Sequence, residues 1–388
     1  MTQPLGKPLA LSKAFYALYY GAGACLLPFL ALYYSDLGFD GREIGVLRGL
    51  APLVTLISAP LWGAAADGTG RHKALWLLAI AGTWAAVLGI SLTTAYWGLL
   101  LLVVAYAFFG ASIMPLADSA VMTLLGKQRG KYGLQRIWGA VGWGVASFFT
   151  GFLTDTYGLT WAFIGFLALM AGAGLTAAVM PAGFSHERRR FGQDFSTLMT
   201  DASWVVFLGV VFVAGLYLAF ETSYLLLYLD SLGVRKSLMG IALVVATVSE
   251  LPVWALGPRL LRRWGSHGVL GIAIVAGLAQ AAAYVWLVPG TPWLALPTQL
   301  LHGLAFSAMW LAGVTHAAES APAGTQATAQ GLFGGVHMGM SAALGAFIGG
   351  WLFEKGGGAL MFRWAMATSL MALALLWWAG SRVERQEL

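Results

Sequence analysis

Charge is scarce in this chain. Only 10% of its 388 residues are Asp, Glu, Lys or Arg, against about 25% in a soluble domain. With 59% hydrophobic residues and a mean hydropathy of +0.77, much of the exterior must face lipid rather than water. Cysteine is almost missing as well. Cys25 stands alone, which excludes an intrachain disulfide and a metal site built on several thiolates. No P-loop, zinc-ligand spacing or nucleophile elbow occurs, so the motifs of nucleotide, metal or acyl-transfer enzymes are absent. The first residues carry no signal-peptide cleavage pattern, and the first apolar run is too long for an h-region; it reads as a retained span.

The net charge is +6, but this does not indicate nucleic acid, because the basic residues sit at the ends of hydrophobic segments. Twelve segments of the length needed to span a hydrocarbon core can be laid down, at roughly 10–34, 43–64, 74–93, 96–124, 133–153, 160–180, 204–229, 238–257, 268–288, 293–317, 326–351 and 359–380. The fold class expected is an all-α membrane protein. The 17 Trp, 13 Tyr and 21 Phe suit interfacial belts and stacking sites. The one long polar stretch is 182–203, which contains His186, Glu187, Arg188, Arg189 and Arg190. It divides the chain into an N-terminal bundle (1–181), a cytoplasmic linker (182–203) and a C-terminal bundle (204–388). With the N-terminus inside, fifteen Lys and Arg fall on the cytoplasmic side and five on the other, with Arg48 and Arg136 within spans. The positive-inside rule then puts both termini in the cytoplasm of a bacterial-type inner membrane.

The two halves repeat in parallel at an offset of 195 residues. Leu37-Gly38 matches Leu232-Gly233, Gly45 matches Gly240, Gly70 matches Gly265, Met114 matches Met309, Gln135 matches Gln330 and Gly139 matches Gly334. Parallel six-helix repeats are expected to hold a substrate site near the midplane at their interface and to rock around it.

Between the second and third segments stands Gly63-Ala-Ala-Ala-Asp67-Gly-Thr-Gly70-Arg71-His-Lys73. A glycine-made turn is expected here, with Asp67 capping a helix or pairing with Arg71. The run resembles the G-x-x-x-D-x-x-G-R-x-K signature of the major facilitator superfamily, which implies a gating role for Gly63, Asp67, Gly70, Arg71 and Lys73. The equivalent loop of the second half, Gly257 to Gly265, has no acidic partner. Two branches of the superfamily are similar over nearly the whole chain: the oligosaccharide:proton symporters typified by lactose permease, and the 3-phenylpropionate transporter group. The stretch from Tyr132 through Arg136 and Gly139 to Trp143 looks like their fifth helix. Asp118 lies where lactose permease places the acidic partner of its sugar-binding arginine, and Trp143 where it stacks an indole. Glu250 and His302 match a glutamate and a histidine of both branches, and Glu221 falls at an aspartate of the first. One departure stands out: where lactose permease has its main proton carrier, this chain has Ala305.

Ionisable residues at bilayer depth are costly, about 2.5–3.5 kcal/mol each on insertion scales, so they are expected to face a cavity and to pair. Asp118 and Arg136, on consecutive antiparallel segments, are expected to form a charge-assisted pair that meets substrate. Arg136 and Trp143 share a helical face, so Trp143 can stack on substrate or simply pack. Glu221 lies among Tyr217, Tyr224 and Tyr228 and can bind substrate or carry a proton; Tyr224 joins it as a substrate-binding candidate. Glu250, with no basic neighbour on its own helix, and His302 are candidates for both substrate contact and proton coupling. His316 falls too far along its helix to share their pocket, His337 reads as packing, and Arg48 is left unassigned.

The function expected is a proton-coupled symporter working by alternating access, with no cofactor, no metal and no nucleic acid. Its partners would be a small-molecule substrate, protons and the lipid bilayer, and it would act as a monomer. Three carboxylates against one arginine and one histidine disfavour a permanent anion, which leans the substrate to a sugar, glycoside or nucleoside. Uptake of an aromatic carboxylate such as phenylpropionate, or proton-antiport efflux of a drug or metabolite, are the alternatives.

Overall fold

A computed structural model describes residues 6–181, 198–286, 291–321 and 325–386. The basic cluster from His186 to Arg190 lies outside them. Among the described residues the regular structure is entirely helical. The helices are α1 (Gly6–Leu26), α2 (Leu30–Asp36), α3 (Gly41–Thr69), α4 (His72–Leu92), α5 (Tyr96–Gly110), α6 (Ile113–Leu125), α7 (Tyr132–Tyr157) and α8 (Thr160–Val179). After the linker come α9 (Ala202–Ser231), α10 (Lys236–Val285), α11 (Ala295–Ser320), α12 (Gln326–Gly334) and α13 (Ala342–Gln386).

Nine continuous helical stretches of the described residues are long and apolar enough to cross a bilayer. Three of them, Tyr96–Tyr157, Lys236–Val285 and Thr328–Ser381, run to 62, 50 and 54 residues. At 1.5 Å per residue a 50-residue helix is about 75 Å long, too long for one straight crossing of a ~30 Å core. Each contains a backbone break at glycine: Gly126 (φ +51°), Gly265 (φ +62°), and Gly357 (φ +66°) next to Gly356.

Three segments expected as unbroken helices are interrupted, each for a local reason. The first is divided by a 3-10 turn at Leu27–Phe29, where Pro28 cannot donate a backbone hydrogen bond. The segment 96–124 is split between α5 and α6, because the ring of Pro115 would collide with the carbonyl of Ala111 in a continuous helix. The segment 326–351 contains a π turn over Gly335–Ser341. Ser341 closes it by donating to the carbonyl of Val336 at 2.9 Å and to that of Phe212 at 3.1 Å.

The chain forms two compact units. The first comprises Met1–Leu37, Leu50–Arg188 and Arg235–Val244; the second comprises Gly38–Gly49, Arg189–Val234 and Val245–Leu388. In the first, α1 packs along α7 and α8, and α4 along α5 and α8. Indole N–H groups tie these helices together: Trp62 donates to the carbonyl of Phe108 at 2.7 Å and Trp84 to that of Leu167 at 3.0 Å. Asp155 near the end of α7 accepts from Arg235 at 2.8 Å and from the backbone N–H of Lys236 at 3.2 Å. In the second unit, α9 is buried along most of its length and packs on α13. Asp201 caps α9 by accepting from the N–H groups of Ser203 and Trp204 at 2.9 and 3.4 Å.

Glycines set close helix approaches in both units. A Cβ on Gly142 of α7 would stand 2.0 Å from the carbonyl oxygen of Ala17 on α1. A Cβ on Gly303 of α11 would stand 2.2 Å from the backbone of Ser249 on α10. Small residues at such points let helices gain dispersion contact in lipid, where no hydrophobic effect drives them together. Gly142→Ala is therefore expected to lower the thermal midpoint in detergent by the equivalent of roughly 1–3 kcal/mol of overpacking. Gly133→Ala, where a Cβ meets nothing within 4 Å, should leave it nearly unchanged; equal midpoints for the two variants would refute this packing account.

Candidate functional site

Two clusters of polar and ionisable side chains stand out among the described residues, one in each unit. In the first unit Asp118 of α6 and Arg136 of α7 meet as an ion pair at 3.3 Å, with side chains 32% and 42% exposed. The pair sits in a ring of phenols. Tyr16 of α1 donates to Asp118 Oδ1 at 2.7 Å. Arg136 donates to Tyr20 Oη at 2.7 Å and to Tyr132 Oη at 3.4 Å. Its guanidinium carbon also lies 5.5 Å from the centre of the Tyr20 ring, within cation–π range.

The α1–α7 contact makes this geometry possible. Tyr20 lies against Gly139, one turn beyond Arg136, where any Cβ would come within 2.5 Å of the ring. The other side of that contact fixes Gln135, which is buried and accepts from Ser12 at 2.9 Å. Trp143 is half-buried two turns from Arg136 and borders Gly23 of α1. The cluster offers guanidinium and phenol donors, a carboxylate and ring faces, which suits a solute carrying hydroxyls and a planar or pyranose face.

In the second unit Glu221 of α9 is buried, and its carboxylate lies 3.0 Å from Nδ1 of His302 on α11. Gln299, one turn before His302, points its Nε2 at Glu221 Oε1 at 3.5 Å and donates to Tyr284 Oη at 2.9 Å. Gln280 donates to the same phenol at 3.1 Å, and the hydroxyl of Tyr217 donates to Gln280 Oε1. Glu250 of α10 accepts from Ser307 Oγ at 3.4 Å and from the side chain of Trp254. It lies close enough to His302 and Glu221 to interact with both electrostatically. The tight Ser249–Gly303 crossing sets this proximity: Ser249 Oγ accepts from the Gly303 N–H at 3.0 Å, holding α10 and α11 together beside Glu250.

The structure thus joins Asp118 to Arg136, and Glu221 to His302 and Glu250. It takes Tyr224 elsewhere: its hydroxyl donates to the carbonyl of Ala346 at 2.6 Å, binding α9 to α13. Tyr228 likewise donates to the carbonyl of Tyr284 at 2.9 Å, leaving Tyr217 as the tyrosine of that face that enters the Glu221 network. Arg48 donates to the carbonyl of Thr222 at 3.2 Å. His316 belongs to a separate group with Trp204, Phe207 and His267.

At the signature turn, Gly70 takes φ +66°, which favours glycine, and Gly63 is exposed on α3. Asp67 pairs with His72 Nε2 at 3.3 Å instead of the expected Arg71, which is exposed. His72 opens α4 and points inward, while Arg71 occupies the non-helical cap position and turns outward. Lys73 donates to the carbonyl of Met180 at 3.0 Å, closing the end of α8.

A family model described as MFS_1 like family matches residues 9–364. The chain belongs to that family. Among curated relatives it is 30% identical over 370 residues to maltose permease of Geobacillus stearothermophilus, covering 93% of this chain and 92% of the permease. It is 24% identical over 368 residues to a probable 3-phenylpropionic acid transporter of Escherichia coli K12, covering 91% and 92%. The crystal structure of the nucleoside transporter NupG superposes with a TM-score of 0.85 over 96% of this chain and 98% of that one, at 18% identity. The MFS_1 like family and these relatives are transporters, so this chain is a membrane transporter of the major facilitator type and not an enzyme.

Residues that sequence reasoning did not single out complete both clusters: Tyr16 and Tyr20 around Arg136, and Gln280, Tyr284 and Gln299 behind Glu221. The glutamines were the available signal, since a lone amide in an apolar run at bilayer depth needs a partner. Removing one charge of the Asp118–Arg136 pair strands the other. Arg136→Gln alone is therefore expected to lower the thermal midpoint more than Asp118→Asn and Arg136→Gln together, by an amount moderated by the pair's partial exposure. An additive double variant would show that the two charges do not act as a pair.

Proposed function

We propose that this transporter is a proton-coupled symporter of a neutral, hydroxyl-rich solute, a sugar, glycoside or nucleoside, working by alternating access. The observation that carries the reading is the buried Glu221–His302 pair with Glu250 beside it. A carboxylate and an imidazole in contact can exchange a proton between themselves, and Glu250 offers a second acceptor within reach of the same imidazole. That division of labour assigns proton handling to Glu221, Glu250 and His302. It leaves Asp118, Arg136 and Trp143, with Tyr16, Tyr20 and Tyr132, to hold the solute. It also meets the difficulty posed by Ala305, because the carboxylates needed for coupling lie on α9 and α10.

In this reading a proton on the Glu221–His302–Glu250 group favours solute binding, and its loss to the cytoplasm favours release. The name of the maltose permease relative supports a sugar. The guanidinium and phenols around Arg136 also suit an aromatic carboxylate, and the name of the phenylpropionic acid relative supports that second reading. Each of the three over-long helical stretches, counted as two crossings, brings the nine to twelve. The positive-φ glycines Gly38 and Gly233, and Gly70 and Gly265, stand at the repeat offset of 195 residues and support two six-helix repeats. We further take the chain as a monomer in a bacterial inner membrane with both termini in the cytoplasm, and Gly63, Asp67, Gly70, Arg71 and Lys73 as its gating turn.

Purified protein in liposomes, offered labelled maltose, a nucleoside or 3-phenylpropionate, is expected to accumulate maltose or the nucleoside when a proton gradient is imposed. Accumulation of 3-phenylpropionate alone would transfer the assignment to aromatic acids. With the accepted solute, Glu221→Gln and Glu250→Gln are each expected to abolish gradient-driven accumulation while retaining exchange across the membrane. Full accumulation by both variants would remove proton coupling from these carboxylates.

A further inference from the structure

The hydrogen bonds behind Glu221 have a direction. Tyr217 donates to Gln280 Oε1, so the Gln280 amide presents its NH2 to Tyr284. Gln299 also gives its NH2 to Tyr284, and the same nitrogen faces Glu221 Oε1. Tyr284 therefore accepts two N–H donors through its two lone pairs, and the hydroxyl proton it carries has no acceptor among these contacts. Among the described residues Gln299 Oε1 has no hydrogen-bond partner, and the residue is only 1% exposed. An unpaired buried acceptor costs about 1–3 kcal/mol.

Rotating the Gln299 amide by half a turn would exchange these roles. Its oxygen would then accept from the Tyr284 hydroxyl, and its nitrogen would become the unpaired end. Facing a Glu221 carboxylate, that oxygen would meet another oxygen with no proton between them. Facing a Glu221 carboxylic acid, it would accept the acid O–H. Each orientation leaves one end of the amide unpaired, so what distinguishes them is whether Glu221 presents a lone pair or a proton.

We propose that Gln299 is the positioning residue of the Glu221–His302 site, and that its amide takes two orientations: donating to the Glu221 carboxylate, and accepting from the Glu221 carboxylic acid. Gln280, fixed by Tyr217, acts one bond behind it by keeping a donor on Tyr284 in both states. The proton on Glu221 is thereby passed on as an inversion of hydrogen-bond polarity across α9, α10 and α11, without a second ionisable group in the relay. This inference rests on the reading of Glu221 as a proton-handling group.

Acid-minus-alkaline infrared difference spectroscopy of the full-length protein in lipid tests both parts without a substrate. The spectrum is expected to contain a carboxyl component lost in Glu221→Gln, and a glutamine side-chain carbonyl component that shifts on carbon-13 labelling of glutamine and is lost in Gln299→Met. Gln280→Met should leave that glutamine component present but at a displaced frequency, because Tyr284 has lost a donor; this variant keeps the test available where Gln299→Met does not fold. A carboxyl component that disappears in Glu221→Gln, with no glutamine component altered by either glutamine variant, overturns the relay and leaves the proton reading standing. Absence of any carboxyl component sensitive to Glu221→Gln overturns both.

Discussion

One constraint governs the polar groups at bilayer depth: away from water, a charged or hydrogen-bonding group costs free energy unless protein answers it. Glu221 is met by His302 and Gln299, and Asp118 by Arg136 and Tyr16. The same rule explains smaller features. Indoles donate to carbonyls of neighbouring helices, and Ser341 closes the π turn that leaves the local backbone out of α register. Because such partners are costly to assemble, the few places where polar groups accumulate are the ones on which the proposed function rests.

How far this was legible from sequence differs between the clusters. Asp118 and Arg136 could be paired because they lie 18 residues apart on consecutive segments, a separation that antiparallel helices bring to similar depth. Glu221, Glu250 and His302 could be named from the resemblance to symporters. The residues that surround them could not. Tyr16 and Tyr20 come from α1, 102 residues before Asp118 and 116 before Arg136 respectively, and their contact depends on the rotation of α1 about its axis. Gln280 and Tyr284 come from the second arm of α10, after the break at Gly265. Hydrophobic patterning gives the existence of a span but not which way a single side chain faces when every face is apolar.

The fold was legible at the level of spans and less so at their interruptions. Pro28 and Pro115 mark breaks at positions where the sequence does carry a signal, the missing amide donor. The π turn carries none of comparable strength, since Gly, Met and Val are equally at home in an α-helix within lipid. At the signature turn the motif located the bend, yet the partner of Asp67 proved to be His72. Which of two adjacent basic side chains turns inward is decided by the cap geometry at Arg71 and not by the spacing of charges.

The glycines of α7 have a consequence for how cargo preference can change. With Gly142 seated on the Ala17 carbonyl and Gly139 beneath the Tyr20 ring, α1 and α7 approach at these two points too closely for a larger residue to be seated there. The two helices thus make one chassis. If the group around Arg136 holds the solute as proposed, drift from one cargo to another would proceed by exchanging the upholstery, Tyr132 or Trp143, while the frame that mounts those groups stays as it is.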